Sequence, residues 1–344
     1  MSVQSKWSIV FLDAATLSSG DVSFERFTRN WDCAFFPMSM PEEVHERVKG
    51  RQVVITNKVV IDRPLLTRPE TGEMKLIAVA ATGTNNVDIA AAAERGIPVC
   101  NVSGYSTLSV VQHTFGLIIE LASHIGRYSS AVRNGAWEKS PVFTMLEPQC
   151  TELAGKKLGI IGYGRIGKAV AKAARGFGIK VLIAVRPGTE GALPAGRVPL
   201  DELLREADVV SVHCPLTPET RNLIDRGALH KMKPTAFLIN VARGGIVDEE
   251  ALIEALKEKV IAGAAVDVLT QEPPSPDHPM VKASRELDNL ILTPHIAWTT
   301  LEARQRLLDE IAENITAYER GGERNRVLCL TCSFTPAEKQ SPAP

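Results

Sequence analysis

The stretch Leu158–Val170, LGIIGYGRIGKAV, decides the fold. It runs from a short apolar segment into three glycines with the spacing G-x-G-x-x-G, and then into a segment rich in small residues. That order predicts a buried strand, a tight turn and the start of a helix. The glycines of the turn are Gly162, Gly164 and Gly167.

Each glycine has its own physical task in such a turn. Gly162 lets the chain turn sharply, Gly164 removes a side chain so that backbone N–H groups can approach a pyrophosphate, and Gly167 lets helix and strand pack closely. The anion then lies at the helix N-terminus, where unpaired N–H groups and the positive end of the helix dipole face it. Because a second strand is predicted over Lys180–Val185, the context favours dinucleotide binding over a purely structural turn.

The end of this second strand bears on the choice of dinucleotide. A dinucleotide fold usually has an acidic residue there, which binds the adenosine ribose. This chain has Val185 followed by Arg186. Valine cannot accept a hydrogen bond, whereas arginine can pair with a 2′-phosphate. The sequence therefore favours NADP, and NAD stays open because an arginine in a loop is often merely solvated.

Length, charge and composition limit the classes to which the protein can belong. At 344 residues the chain exceeds one ordinary core and predicts two domains. Lys and Arg number 39 and Asp and Glu 40, a formal net charge of −1 that indicates no nucleic-acid or membrane partner. We see no apolar run that would span a bilayer and no signal peptide, so we expect a cytoplasmic protein. Six cysteines, paired in sequence only as Cys329-x-x-Cys332, indicate free thiols and no metal site.

Alternating apolar runs and helical stretches predict an α/β fold with two doubly wound parallel-sheet domains, a Rossmann-type nucleotide domain and a smaller flavodoxin-like substrate domain. Residues 1–104 and 299–327 are predicted to form the substrate domain, residues 105–298 the dinucleotide-binding domain, and residues 328–344 a tail. The predicted strands are Trp7–Asp13, Gln52–Thr56, Leu76–Ala80 and Ile97–Val102, then 157–161, 180–185, 208–212, 235–241, 262–268 and 289–293.

Three polar residues follow predicted strands of the second domain: Arg243, Glu272 and His295. Because parallel strands end at one edge of a sheet, we expect these side chains in the crevice that holds the dinucleotide. Arginine can hold a carboxylate, and histidine can give a proton to a developing alkoxide. A carboxylate on the other ring nitrogen would fix the tautomer and favour the protonated ring. Each residue alone is most often a surface charge, but together they predict hydride transfer to a 2-oxo acid.

Further segments have distinctive sequences: ATGTNNVD at Ala81–Asp88, HCPLTPETRNLI at His213–Ile224, INVARGGIVDE at Ile239–Glu249, AVDVLTQEPP at Ala265–Pro274 and LTPHIAW at Leu292–Trp298. With the glycine motif, they resemble the D-isomer-specific 2-hydroxyacid dehydrogenase family over roughly residues 5–325. Within that family, TNK at Thr56–Lys58 and the RPG after the second strand look like the glycerate dehydrogenase or hydroxypyruvate reductase branch.

The resemblance implies a role for individual residues and a reaction. The reaction is hydride transfer between NAD(P) and a small 2-oxo or 2-hydroxy acid. The first candidates for it are the reduction of hydroxypyruvate and the reduction of glyoxylate. A bulkier D-2-hydroxy acid and a dinucleotide-sensing binding protein stay open as alternatives. The implied residues are Arg243, Glu272 and His295 for catalysis; Asn57, Thr82, Gly83 and Arg243 for the substrate; and, beside the glycines, Arg165, Ile166, Cys214, Pro215, Ala242 and Asp267 for the cofactor.

The long helical segment Ser106–Arg127 and the stretch after it bear on assembly. In the resembling family such segments form a dimer interface, so we expect a homodimer. Ordinary intramolecular core is the alternative interpretation.

Overall fold

The computed structural model describes residues 6–189, 191 and 193–328. The chain divides into two compact units, one that ends at Tyr105 and resumes at Leu301, and one that runs from Ser106 to Thr300. Apart from Leu328, the predicted tail lies outside the described residues, and so does its Cys-x-x-Cys pair.

The first unit is built on a five-stranded parallel sheet. Its strand order, 2-1-3-4-5 along the chain, is that of flavodoxin-like folds, as predicted. Two of the central strands are fully buried, which a sheet covered by helices on both faces requires. The strands are β1 (Ser8–Phe11), β2 (Asp32–Phe35), β3 (Val53–Thr56), β4 (Leu76–Val79) and β5 (Val99–Cys100).

Strand β2 was not predicted from the sequence. It lies at the edge of the sheet, begins with the exposed Asp32 and has no fully buried residue. Its apolar run, Cys33–Phe36, is short and lies between Asp32 and Pro37, so it gives a weak strand signal. It is held by aromatic packing, because the Phe35 ring stacks on Phe11 with ring centroids 4.8 Å apart.

Short helices and the last helix of the chain cover this sheet. The last helix, Leu301–Glu319, buries an apolar face that includes Leu308, Ile311 and Ile315. At its C-terminal end, the Trp31 indole N–H donates a hydrogen bond to Glu319 Oε1 over 2.7 Å. The other helices of this unit are α1 (Glu25–Asn30), α2 (Val44–Val48), α3 (Arg63–Leu66) and α4 (Ile89–Glu94).

The second unit is built on a six-stranded parallel sheet, and each strand lies within the span predicted for it. The strands are β6 (Lys157–Ile161), β7 (Lys180–Ile183), β8 (Val209–Val212), β9 (Phe237–Asn240), β10 (Gly263–Val266) and β11 (Leu290–Leu292). The helices are α5 (Thr107–Ser123), α6 (Ile125–Arg133), α7 (Arg165–Gly176), α8 (Leu200–Glu206), α9 (Arg226–Lys231), α10 (Glu249–Lys257) and α11 (Pro279–Glu286).

The strand order of this sheet is β11-β10-β9-β8-β6-β7. Beyond β7, Val198 pairs in parallel with Ala184, so a single residue stands where the third strand of a mononucleotide-binding half belongs. With that residue counted, β6 to β10 and Val198 have the 3-2-1-4-5-6 order of a Rossmann-type sheet, and β11 adds a strand beyond β10. After β6, the chain adds β7 on one side of the sheet and then β8 on the other side of β6. The boundary between β6 and β8 is therefore the switch point where such folds bind ligands.

The predicted helical segment Ser106–Arg127 is two helices. α5 ends at Ser123, and α6 continues from Ile125 at an angle of 60°. His124, between them, has φ +49°, a left-handed conformation that an α-helix cannot propagate. Among the described residues no single helix is long and apolar enough to cross a membrane; α5 and α6 pass that test only as a bent pair, by length and composition.

Candidate active site

The glycine loop between β6 and α7 leaves room for a ligand on one side and none on the other. Gly162 has φ +96°, and a Cβ added to it would lie 2.4 Å from the Cys214 backbone nitrogen. A Cβ on Gly167 would lie 2.1 Å from the Gly162 carbonyl oxygen, so helix and strand are as close as the sequence predicted. A Cβ on Gly164 would meet nothing within 4 Å, so this glycine faces open space.

The N-terminus of α7 suits an anion. The helix begins at Arg165, and its N-cap residue, Gly164, has no side chain that could cap the first N–H groups. The first turn also has no acidic residue. Its first N–H groups are thus available for a pyrophosphate beside the open space at Gly164. The residues present therefore fit the dinucleotide that the motif predicts.

The end of β7 has no acidic group among its described residues. The Val185 N–H donates to the Val198 carbonyl oxygen over 2.9 Å, and the Arg186 carbonyl oxygen accepts from Thr189 Oγ1 over 2.7 Å. The pKa of the exposed Glu219 carboxyl is lowered, chiefly by a hydrogen bond from Thr217 and in smaller part by the charge of Arg186.

His295 and Glu272 form a close pair. His295 Nδ1 lies 2.6 Å from Glu272 Oε2, and Glu272 Oε1 accepts from the Leu269 N–H over 2.8 Å. The side chains are 24% and 30% exposed, so both are partly shielded but reachable. The carboxylate thus occupies Nδ1 and leaves Nε2 as the ring nitrogen for a substrate. This is the contact that the sequence predicted from two residues 23 positions apart.

The backbone of His295 is held in an unusual conformation. Its φ is +55°, which a non-glycine residue adopts only where its surroundings impose it. Its N–H donates to the Asp267 carbonyl oxygen over 2.8 Å, and the Asp267 carboxylate accepts from the Ile296 and Ala297 N–H groups, each over 2.9 Å. Thr293 Oγ1 donates to the same carboxylate over 2.5 Å.

Asp267 is thus a buried anchor for the loop that bears His295. Burial opposes its ionisation, but hydrogen bonds from His113, Thr293 and the two backbone amides together lower its pKa. His113 Nε2 lies 3.4 Å from Asp267 Oδ1 and 3.2 Å from Thr293 Oγ1. The sequence predicted Asp267 as a cofactor contact and missed this anchoring role, because His113 lies on α5, far away in the chain.

Arg243 lies in the loop after β9, and two contacts position that loop. The Asn240 side chain donates to the Arg243 carbonyl oxygen over 3.0 Å. A Cβ on Gly244 would lie 2.0 Å from the carbonyl carbon and oxygen of Leu269, so this loop packs directly on the loop that holds Glu272. Since β9, β10 and β11 are neighbours, the structure brings all three predicted catalytic loops to one edge of the sheet.

The other predicted cofactor residues of this unit follow strands at the same edge. Cys214 and Pro215 come after β8, and Ala242 comes after β9. Cys214 is buried, which raises the pKa of its thiol to about 11. A thiol protonated at neutral pH suits packing and not nucleophilic chemistry.

The predicted substrate residues Asn57, Thr82 and Gly83 lie in the first unit, after β3 and β4. Asn57 is buried, and its side-chain amide donates to Thr16 Oγ1 over 3.0 Å. Sequence reasoning missed Asp13, a buried carboxylate after β1, because no motif marks it. It accepts hydrogen bonds from the backbone N–H groups of residues 57, 58 and 59 and fixes their loop.

The part of the chain that the structure describes contains no group of three or more His, Cys, Asp or Glu side chains that would hold a metal ion. The edge of the second sheet presents an imidazole oriented by a carboxylate, beside an arginine loop and a dinucleotide-type glycine turn. Such an arrangement belongs to a dinucleotide-dependent oxidoreductase.

Comparison with known proteins identifies the family. Residues 115–297 match the D-isomer specific 2-hydroxyacid dehydrogenase, NAD binding domain. The chain is 41% identical over 322 residues to a glycerate dehydrogenase of Methylorubrum extorquens, covering 93% of this chain and 98% of that one.

Two solved structures share the fold. One, from Thermus thermophilus, has 34% identity and a TM-score of 0.81 over 93% of this chain and all of that one. The other, an NADPH-dependent glyoxylate/hydroxypyruvate reductase from Sinorhizobium meliloti, has 26% identity and a TM-score of 0.78 over 94% of this chain and 98% of that one. The chain belongs to the D-isomer-specific 2-hydroxyacid dehydrogenase family and is an NAD(P)-dependent oxidoreductase.

Proposed function

We propose that this protein reduces a small 2-oxo acid with NAD(P)H, with hydroxypyruvate and glyoxylate as the first candidates and D-glycerate as the alcohol formed from hydroxypyruvate. The observation that carries the proposal is the 2.6 Å contact between His295 Nδ1 and Glu272 Oε2, because it supplies an oriented proton donor. The names of a glycerate dehydrogenase and a glyoxylate/hydroxypyruvate reductase among the similar proteins support the substrate class.

The bound nicotinamide would supply the hydride. The chain's own residues then move the proton and hold the acid. With Nδ1–H directed at Glu272, the protonated imidazole of His295 gives its Nε2 proton to the keto oxygen as that oxygen gains negative charge. In the oxidation direction Nε2 takes the proton back. Arg243 binds the substrate carboxylate and polarises the neighbouring carbonyl.

We also propose substrate contacts within the first unit. We assign the carboxylate to the backbone N–H groups around Thr82 and Gly83, with Asn57 nearby. Thr82 supports this role because its Oγ1 donates to the Val102 carbonyl oxygen over 2.9 Å and its own carbonyl oxygen accepts from Asn101 over 2.7 Å. These contacts hold the loop in one conformation without using its amides.

The dinucleotide would be bound along the carboxyl edge of the second sheet. We assign its pyrophosphate to the glycine loop, its 2′-phosphate to Arg186, and therefore favour NADPH over NADH. Val185 supports this choice, because it stands where a ribose-binding acid is usual. The remaining proposed contacts are Arg165, Ile166, Cys214, Pro215, Ala242 and Asp267.

We also propose a homodimer in the cytoplasm. The N-terminal part of α5 and the segment after α6 have exposed apolar side chains, with Leu108 70%, Phe143 89% and Leu146 77% exposed, and a second copy of the chain would cover them. The four cysteines that the structure describes are all free, which suits a reducing compartment.

The test is steady-state reduction of hydroxypyruvate, glyoxylate and pyruvate, each with NADH and with NADPH, followed by coenzyme absorbance. We expect the highest kcat/KM with hydroxypyruvate or glyoxylate. Turnover only with a branched or aromatic 2-oxo acid would show that the substrate is bulkier than proposed. Absence of turnover with every 2-oxo acid, despite coenzyme binding, would contradict the proposal and favour a dinucleotide sensor.

A further inference from the structure

Arg197 is a second arginine at the end of β7, and the pairing of Val198 brings it there. Val198 N–H donates to the Ile183 carbonyl oxygen over 3.0 Å, and Val198 pairs with Ala184 outside β7. The Arg197 side chain turns back over the strand end, where its Nη1 donates to the Ala184 carbonyl oxygen over 3.3 Å. A residue eleven positions beyond Arg186 therefore lies at the same strand end.

The Arg197 guanidinium also packs on the glycine loop. Its central carbon lies 4.7 Å from the centroid of the Tyr163 ring. Tyr163 stands between Gly162 and Gly164, so this cation–π contact ties Arg197 to the turn that suits a pyrophosphate. A half-buried arginine with two such contacts is held in one place, which reduces the entropy lost when it binds an anion.

This position is where a 2′-phosphate would need a cation. In a dinucleotide fold the pyrophosphate lies on the glycine loop and the adenosine ribose at the end of the second strand. The Arg197 guanidinium spans these two elements, from Tyr163 after β6 to Ala184 at the end of β7. One of its five N–H donors bonds Ala184, and the planar fork offers more to a phosphate.

The two contacts of Arg197 leave its positive charge without a negative partner of their own. The Ala184 carbonyl oxygen and the Tyr163 ring are both uncharged. A bound phosphate would therefore supply a full negative charge that neither of these partners carries.

We propose that Arg197, held against Tyr163, determines coenzyme specificity by binding the 2′-phosphate of NADP together with Arg186. The proposal rests on the proposed function, because it takes the dinucleotide to bind at the glycine loop. It adds a residue and a geometry to the preference for NADP, which otherwise depends on Arg186 and on the absence of an acid at Val185.

The experiment measures ligand binding directly, by calorimetry, on the full chain. The ligands are 2′,5′-ADP and 5′-AMP, which differ only in the 2′-phosphate, followed by NADP and NAD. We expect Arg197→Ala to weaken 2′,5′-ADP and NADP at least about tenfold and to change the Kd of 5′-AMP and NAD by less than about twofold, as lost charge-assisted hydrogen bonds require. Arg197→Lys keeps the charge but not the planar fork, so it should fall between Arg197→Ala and the unmodified chain.

Two controls separate a specific effect from a general one. Arg175→Ala removes an exposed positive charge from the last turn of α7, at the helix end remote from the glycine loop, and should leave all four Kd values unchanged. Arg197→Met keeps an apolar stem for packing on Tyr163 and serves if Arg197→Ala does not fold. It should lose the 2′-phosphate preference as Arg197→Ala does.

Two binding results would overturn the proposal. If Arg197→Ala weakened both ligands of a pair equally, Arg197 would only hold the strand end in place. If no Kd value changed, other residues would bind the 2′-phosphate. Failure of the proposed function is seen separately, as absent turnover of 2-oxo acids while the binding ratio still responds to Arg197. A chain that turns over 2-oxo acids but prefers NAD would overturn this inference alone.

Discussion

The catalytic edge, formed by the loops after β9, β10 and β11, and the adenosine edge, formed by the end of β7 and Arg197, lie on one sheet but are held differently. At the catalytic edge the buried Asp267 carboxylate binds Thr293 and two backbone amides, and Gly244 packs on the next loop. At the adenosine edge a one-residue pairing, one hydrogen bond to the Ala184 carbonyl oxygen and one ring contact hold Arg197.

The difference follows from what each edge has to do. Proton transfer requires donor and acceptor at fixed separation, and a displacement of about 1 Å costs roughly a hundredfold in rate, so a dense network is needed. Selection of a phosphate requires a cation near the ribose, and a side chain held by a few contacts can supply it. Substitutions at the catalytic edge should therefore change kcat, and substitutions at the adenosine edge should change coenzyme affinity.

The largest effect is expected from His295→Gln. Loss of the proton donor should lower kcat for 2-oxo acid reduction about 10²- to 10⁴-fold, since that is the usual contribution of general acid catalysis. Coenzyme Kd should change by less than about twofold, because the ring of His295 has no part in the glycine loop. His230→Gln, on the exposed side of α9, is the matched control and should keep full activity. A fully active His295→Gln protein would show that His295 is not the proton donor.

Gly244→Ala tests whether the two catalytic loops depend on close packing. The new Cβ would lie 2.0 Å from the Leu269 carbonyl group, so backbone must shift and carry Arg243 with it. We expect kcat/KM to fall about a hundredfold, consistent with misplacement by about 1 Å. Gly176→Ala is the control, since a Cβ there meets nothing within 4 Å. Equal activity of the two variants would show that the loops adjust freely.

Glu272→Gln removes the charge that faces His295 and keeps the size of the side chain. A charge-assisted hydrogen bond contributes about 1.5–3 kcal/mol, so kcat should fall about 10- to 100-fold, less than for His295→Gln. Glu258→Gln, an exposed residue after α10, should have no effect. Steady-state rates of both variants at saturating coenzyme provide the measurement. An unchanged rate would mean that the histidine is oriented by other groups.

The smallest effect concerns stability. Thr293→Val deletes one hydrogen bond to the buried Asp267 carboxylate and should lower the free energy of unfolding by about 1–2 kcal/mol. Thr189→Val deletes an exposed hydrogen bond at the adenosine edge and should change it by less than about 0.5 kcal/mol. Urea unfolding of both variants measures the difference. Equal destabilisation would show that the two edges are held alike.

The same contrast explains what could be predicted from the sequence. The strands of the nucleotide unit were readable because buried parallel strands are continuous apolar runs. The His295–Glu272 contact was readable because both residues follow neighbouring strands in recognisable segments. Each of these signals lies within a short stretch of chain.

The parts that could not be predicted depend on contacts between distant segments. The anchor around Asp267 joins it to His113 on α5, and Arg197 reaches the end of β7 only because Val198 pairs there. The break at His124 depends on a left-handed residue whose identity gives no such signal. Sequence spacing describes neighbours along the chain, so these features required the fold.

The most direct test of the separate roles of the two edges is a double-mutant comparison of the unmodified chain, His295→Gln, Arg197→Ala and the combined variant. For each protein we would measure kcat for hydroxypyruvate at saturating NADPH and the ratio of Kd values for NAD and NADP. We expect His295→Gln to lower only kcat, Arg197→Ala to lower only the ratio, and the combined variant to show both changes in full. A large loss of kcat in Arg197→Ala at saturating NADPH, or unchanged turnover in His295→Gln, would contradict this separation of roles.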